Sequence, residues 1–343
     1  MLESADYTRA ETRAPFPGGA RFPVGRAAPY SVATELPSHR LSTAELAERY
    51  DLSEEWIVSR TGVRERPIAG PEERLSDFAT RASLAALERA GVEASEVDLV
   101  LAATLTQDEL TPNTAPLVAH AIGAYHAGAI DVGAACTAWL SAAAIAAAQI
   151  ETGRCRWALV IGADFISRLV DWEDKRSAPL FADAAGAVLF GPAGDGPGGV
   201  GPIVLGADGS EEAQALVIHH HDRKIRMSGP EVYRNAVARM AESTLQAVER
   251  AGMTLQDIDL FVYHQANGRI TRALGERLGL DPAKVVDCIE KYGNSSAGTL
   301  PLGLATAEAD GRLKPGTRVL LGAFGGGFTW GGGVIEWGGS REH

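Results

Sequence analysis

The chain has 343 residues, enough for two core-sized units or one duplicated body, because single hydrophobic cores stop growing at about 250 to 300 residues. Hydrophobic residues make up 45% and charged residues 22%, which excludes a disordered or fibrous chain, and a net charge of −12 excludes any global attraction to nucleic acid or to an anionic membrane. The three cysteines, Cys136, Cys155 and Cys288, fit neither a disulfide framework nor a zinc site and point to a reducing, cytoplasmic setting.

Residues 1–26 carry Pro15, Pro17, Gly18, Gly19 and Pro23 with several arginines and no apolar core, so they match no secretory signal and read as a flexible arm. The folded body is expected in two halves, 27–196 and 197–343. In the first, Ala86–Val100 reads as a helix end closed by Gly91, a short acidic turn and a β-rich run. Next, Ile130–Leu140 leads a short strand into an alanine-rich helix from Thr137 to about Glu151. The apolar stretch Ala134–Ile150 is interrupted by Thr137, Ser141 and Gln149 and is shorter than the roughly 20 residues that span a bilayer, so it predicts a buried helix. That helix ends near Gly153 and Arg154 and is followed by an apolar strand, Ala158–Ala163.

In the second half the order repeats. Ala247–Phe261 resembles Ala86–Val100 at a constant offset of 161, with Gly252 in the place of Gly91. A later helix ends near Gly311 and Arg312, and Arg318–Ala323 matches Ala158–Ala163. Two halves of alternating helices and strands imply two mostly parallel or mixed sheets covered by helices, with a pseudo-twofold axis that brings equivalent loops together. Close helix packing between two sheets also explains the alanines after Cys136. His219, His220 and His221 are adjacent and cannot all face one ion, so they read as a solvated loop and no metal is expected. The glycines of Gly322–Gly333 lack Gly-Lys-Ser/Thr and any dinucleotide spacing, and read as sites of close backbone approach.

Cys136 lies where a strand gives way to the alanine-rich helix. Orphan N–H groups and partial positive charge at a helix start lower a thiol's pKa and can hold an oxyanion. Alone, such a cysteine reads more readily as a small side chain packed in a tight turn. The second half supplies company. His264 follows an apolar strand, opposite Ala103 in the duplication, and Asn294 sits in a glycine-bearing loop at roughly the place Cys136 holds in the first half. Three polar groups directed at one cleft are hard to assign to packing.

These segments resemble the β-ketoacyl-acyl-carrier-protein synthase III family of the thiolase superfamily over about Tyr30 to Trp337. The resemblance is carried by the segments ending at Cys136, around His264 to Ile270, around Asn294, at Ala323–Trp330, and by the early Ser53–Arg66. It implies a thiolase-like α/β fold whose duplicated halves form αβαβα layers. It also implies that acyl-CoA acylates Cys136, after which a malonyl thioester loses CO2 and its enolate attacks the acyl group. In that scheme His264 and Asn294 donate hydrogen bonds to the malonyl thioester oxygen, the amides of Cys136 and Gly326 form the oxyanion hole, and Phe324 meets the malonyl group from an apolar side. Trp56, Arg60 and Asn267 correspond to CoA contacts, with either Lys175 or Arg176 adding another; Arg234, Arg269 and Arg277 correspond to a basic surface for the acidic carrier protein, although Glu276 stands where another base is common.

The family implies a homodimer and no cofactor, since acyl-CoA is a substrate. Ala138 and Trp139 replace the usual Gly-Phe, and Thr104–Pro112, expected to line the acyl pocket, is unusual; with the N-terminal arm and Ala182–Gly186 these differences suggest a pathway-specific enzyme with a primer other than acetyl. The competing readings are a non-decarboxylating acyltransferase, against which Asn294 argues, and a silent partner subunit, against which Cys136 argues.

Overall fold

The computed structural model describes residues 26–339, so all of the expected N-terminal arm except Arg26 lies outside the described residues. Two five-stranded sheets form the body. In the first, the spatial order is Gly128–Val132, Leu99–Ala103, Ala158–Phe165, Asp183–Pro192 and Ala27–Glu35. In the second it is Val285–Val286, Leu260–Tyr263, Arg318–Gly325, Thr329–Glu336 and Gly199–Ala207. Each sheet pairs its first three strands in parallel and its remaining strands antiparallel. The two orders correspond strand for strand, so the duplication is structural. Strands Leu99–Ala103 and Ala158–Phe165 are apolar and buried at nearly every position, as expected of parallel strands covered on both faces.

Helices Ala138–Glu151 and Thr299–Ala309 lie between the sheets, where one continuous core joins Ala142, Ala143 and Ala146 to Val160 of the first sheet and Val262 of the second. Small side chains are needed here: a Cβ on Gly303 would stand 2.7 Å from Val262. Helices Leu75–Ala90 and Thr114–Ile122 cover the outer face of the first sheet; Gly229–Arg250 and Gly268–Leu278 cover that of the second. This is the layered αβαβα arrangement. The paired glycines read as helix stops both take left-handed backbone, Gly91 at φ 63° and Gly252 at φ 69°. Among the described residues no helix is long and apolar enough to cross a membrane.

The sheet edges differ. Gly128–Val132 is a five-residue edge strand with Ile130 52% exposed, whereas its counterpart Val285–Val286 is two residues long and half-buried to buried. His219, His220 and His221 are exposed at the turn of a small hairpin, Leu216–Ile218 with Ile225–Met227, and no group of the described residues could hold a metal ion.

Candidate active site

A short helical turn, Ala135–Thr137, delivers Cys136 to the floor of a cavity of about 860 Å³ just before the central helix begins. Ala135 takes φ 46°, a left-handed conformation that a non-glycine residue adopts only under local constraint. Gly325 makes room for that turn, because a Cβ there would stand 2.8 Å from the Cys136 amide nitrogen and 3.1 Å from its Cβ. Cys155 and Cys288 are buried, while Cys136 remains partly accessible. The helix start was expected to lower the thiol's pKa. The opposite holds: burial pushes the Cys136 thiol up to about 11, opposed by the Ser296 side chain and reinforced by the Asp164 carboxyl. The loss of water around a thiolate outweighs the hydrogen bonds that favour it.

His264 directly follows the strand Leu260–Tyr263 and reaches the cavity from the second half, as Asn294 does from the loop before Thr299–Ala309. Both are buried, and burial holds the His264 imidazole down at about 3, so the ring is neutral. Its Nδ1 stands 2.6 Å from the Thr299 hydroxyl, which is also 3.0 Å from the Ser296 carbonyl. A hydroxyl carries one proton. Given to Nδ1, it leaves the ring proton on Nε2, the tautomer that can donate to a substrate oxygen; given to the carbonyl, it makes Nδ1 the donor. Asn294 is oriented more simply: its Oδ1 accepts from the Ser296 amide at 2.9 Å and its Nδ2 donates one N–H to the Ala266 carbonyl at 3.4 Å, leaving the other N–H for the cavity. Its main chain is pinned to the segment before Asp183, donating to Leu180 and accepting from Ala182.

The expected site residues come together with few exceptions. Cys136, His264, Asn294, Phe324 and Gly326 line the cavity, as do Trp56, Arg60, Lys175, Arg176, Asn267, Arg234 and Arg269; Arg277, in the last turn of Gly268–Leu278, does not. The Arg60 guanidinium lies over the Trp56 ring at 4.0 Å. Asn267 caps the helix Gly268–Leu278 through Arg269 and donates to the Arg60 carbonyl at 2.9 Å, so most of its side chain holds the two halves together.

Two segments tied to specificity lie largely outside the cavity. Ala138 and Trp139 are fully buried and do not line the cavity; Trp139 sits in the central core beside Phe190 and Gly162. Of Thr104–Pro112 only Leu105 reaches the cavity, because Thr104 and Thr106 turn inward to donate to Asp164 at 3.0 Å each. The cavity's apolar roof is instead the hairpin, through Leu216, Val217, Ile218, Ile225 and Met227. Sequence reasoning also missed Ser296, Thr299 and Asp164. For Ser296 a signal existed, since the offset of 161 sets it opposite Ala135 and its φ of 51° repeats that residue's conformation.

Residues 130–209 match the 3-oxoacyl-[acyl-carrier-protein] synthase III family, and residues 248–337 match its C-terminal part. The chain is 42% identical over 320 residues to a β-ketoacyl-[acyl-carrier-protein] synthase III of Symbiobacterium thermophilum, covering 88% of this chain and 96% of that protein. Among solved structures, it superposes on 3-oxoacyl-[acyl-carrier-protein] synthase III of Aquifex aeolicus with a TM-score of 0.87 at 38% identity, covering 91% of this chain and all of the other. It superposes equally well, with a TM-score of 0.88 at 34% identity, on the priming β-ketosynthase of the R1128 polyketide pathway, covering 94% of this chain and 99% of that one.

Proposed function

The chain belongs to the 3-oxoacyl-[acyl-carrier-protein] synthase III family, and from that premise we propose that its condensing reaction runs through Cys136, His264 and Asn294. It is an acyltransferase that starts a fatty-acid or polyketide chain by carbon–carbon bond formation. The observation that carries the residue assignment is the convergence of a partly accessible thiol with a neutral imidazole and an oriented amide donor on one cavity.

In the first half-reaction Cys136 takes the acyl group from acyl-CoA, with the Cys136 and Gly326 amides facing the developing oxyanion. The acyl chain lies under the apolar hairpin roof. In the second, a malonyl thioester occupies the same cavity, Phe324 disfavours its carboxylate, and CO2 leaves as His264, in the tautomer set when the Thr299 hydroxyl donates to Nδ1, and Asn294 Nδ2–H stabilise the enolate oxygen. A neutral ring suits that role, since it donates a hydrogen bond without having to give up a proton. Acyl-CoA binds through Trp56, Arg60 and one or both of Lys175 and Arg176 at the rim. Arg234, Arg269 and Arg277 offer positive charge to an acidic acyl carrier protein on a chain whose net charge is −12. The long edge strand Gly128–Val132, with Leu110, Tyr125 and Ile130 exposed near it, supports a homodimer formed across that edge.

The test is intact-mass detection of the acyl adduct across a panel of acyl-CoAs, then addition of malonyl carrier protein and measurement of CO2. Wild type acquires one acyl mass on Cys136 and releases CO2 with product. Cys136→Ala acquires none; an acyl adduct on that variant overturns the mechanism.

A further inference from the structure

Acylation requires the Cys136 thiol to lose its proton, and His264, held neutral by burial, is a poor place to put it. Two buried polar groups beside the thiol have no part in the condensation step. Ser296 is 2% exposed, lines the cavity, and its Oγ has no hydrogen-bond partner at full geometry among the described residues, although a buried hydroxyl ordinarily has one. It sits in a strained left-handed conformation, φ 51°, in a turn that packs directly against the Ala135–Thr137 turn. Its main chain already touches the rest of the machinery: the amide donates to Asn294 Oδ1, and the carbonyl is within reach of the Thr299 hydroxyl.

Asp164 is the second group. It is fully buried near the end of the strand Ala158–Phe165 and, among the described residues, forms no ion pair with a cationic side chain. Its Oδ1 accepts three hydrogen bonds, from the Thr104 hydroxyl at 3.0 Å, the Leu105 amide at 2.9 Å and the Thr106 hydroxyl at 3.0 Å. Among the described residues its Oδ2 accepts one hydrogen bond, from the Ala297 amide at 3.2 Å. The oxygen with spare acceptor capacity is therefore the one on the Ser296 side. The Ser296 hydroxyl favours the charged forms of both the Cys136 thiol and the Asp164 carboxyl, and burial raises the Asp164 pKa above the ordinary carboxylate value.

We propose that Ser296 relays the Cys136 proton to Asp164 during acylation and returns it to the departing thiol. The Cys136 S–H bond breaks as a new O–H bond forms on Ser296, whose own proton passes to Asp164 Oδ2. The freed sulfur pair attacks the thioester carbonyl. When the tetrahedral intermediate collapses, the C–S bond to the leaving thiol breaks, and the proton travels back from Asp164 through Ser296 to that sulfur. The relay moves one negative charge from carboxylate to sulfur, whereas transfer to the buried His264 would create a new ion pair.

The inference rests on acylation of Cys136 by an acyl thioester, so the two half-reactions are measured separately. Single-turnover acylation by acyl-CoA is followed by intact mass between about pH 5 and 9, and condensation is started from enzyme already acylated. S296G removes the hydroxyl while suiting the left-handed backbone, and S296A and D164N accompany it. Each variant is expected to acylate on the order of 10²-fold more slowly, with condensation from the acyl-enzyme within about threefold of wild type. Wild-type acylation should fall as pH drops through the raised Asp164 pKa, a limb that D164N lacks. Should D164N fail to fold, S296G decides alone. The relay is overturned if S296G acylates within about threefold of wild type, or if its two half-reactions decline together. Absence of an acyl mass on wild-type Cys136 would instead overturn the assignment of the nucleophile, and the relay with it.

Discussion

The two halves present the same turn at the same depth and put it to different use. In the first, Ala135 at φ 46° precedes Cys136; in the second, Ser296 at φ 51° precedes Ala297, and both turns start helices that run between the sheets. The scaffold is thus held in common while the chemistry has separated. The first half keeps the thiol and places Ala103 where the second has His264; the second keeps the donors, His264 and Asn294, and a methyl group where the first has sulfur. A duplicated fold gives two copies of a strained turn facing one cavity, and one copy can specialise in forming the acyl thioester while the other stabilises an enolate.

The sharpest way to break this division is to remove the second half's donors. His264→Ala and Asn294→Ala are each expected to slow CO2 release roughly 10² to 10³-fold, the cost of losing one preorganised donor to a developing oxyanion. Acylation of Cys136 should stay within about tenfold in both variants, since neither residue is needed to form the thioester. Equal losses in the two half-reactions, read by intact mass and by CO2 measurement, would show that the halves do not divide the work.

A second test asks whether the shared scaffold is equally tight in both halves. Gly162 and Gly322 occupy corresponding strands. A Cβ on Gly162 would meet the Ala297 carbonyl oxygen at 2.2 Å, whereas one on Gly322 would meet the Tyr263 ring at 2.7 Å. Backbone in a strained turn has less room to yield than a ring. Gly162→Ala should therefore destabilise by about 1–3 kcal/mol, and more than Gly322→Ala, in denaturant unfolding. It should also slow both half-reactions by displacing the Ser296–Gly298 turn.

How much of this was legible in the sequence follows the same division. The duplication could be read because helix stops and strands repeat in order, and Cys136, His264 and Asn294 could be proposed because each sits in a motif segment that the family resemblance singles out. Asp164 could not, because nothing in Ala158–Phe165 distinguishes a buried acceptor from a strand-end aspartate; its donors come from Thr104 to Thr106 and from Ala297, 133 residues away. The same threonines misled the reading of the acyl pocket. Near a strand end a polar run looks like a lining, and only the fold shows two of its side chains turned inward. Trp139, three residues after the nucleophile in sequence, packs into the core beside Phe190.

Burial of His264 gives a third prediction, this time about pH. The imidazole titrates near 6.5 when unfolded and at about 3 when folded. The unfolded state therefore binds the extra proton between those values. The contribution of neutral His264 to stability is fully present above about pH 6.5 and declines as pH falls toward 3. Between pH 7 and 5.5 this amounts to roughly 1 kcal/mol, read from denaturant midpoints. His264→Asn, which cannot titrate, should lose that share of the acid sensitivity. An unchanged slope would mean the ring takes up a proton as readily in the folded protein as in the unfolded one, and the effect of burial assigned to it would need revision.

The smallest expected effect separates the two rims of the cavity. Trp56, Arg60, Lys175 and Arg176 belong to the first half and are assigned to CoA; Arg234, Arg269 and Arg277 belong to the second and are assigned to the carrier protein. Arg60 is exposed, its guanidinium 4.0 Å above Trp56, and its backbone carbonyl, which accepts from Asn267, survives substitution. Arg60→Ala should thus leave the fold and the chemistry intact and remove one screened phosphate contact. The KM for acyl-CoA is expected to rise about threefold at physiological ionic strength, less at high salt, with kcat unchanged. An acyl-pantetheine donor, which lacks the nucleotide, should show no change at all. Arg269→Ala should do the reverse, raising the KM for malonyl carrier protein and sparing that for acyl-CoA. If both variants weakened both substrates alike, the rims would form one undivided basic surface, and the separation of the halves would end at the cavity floor.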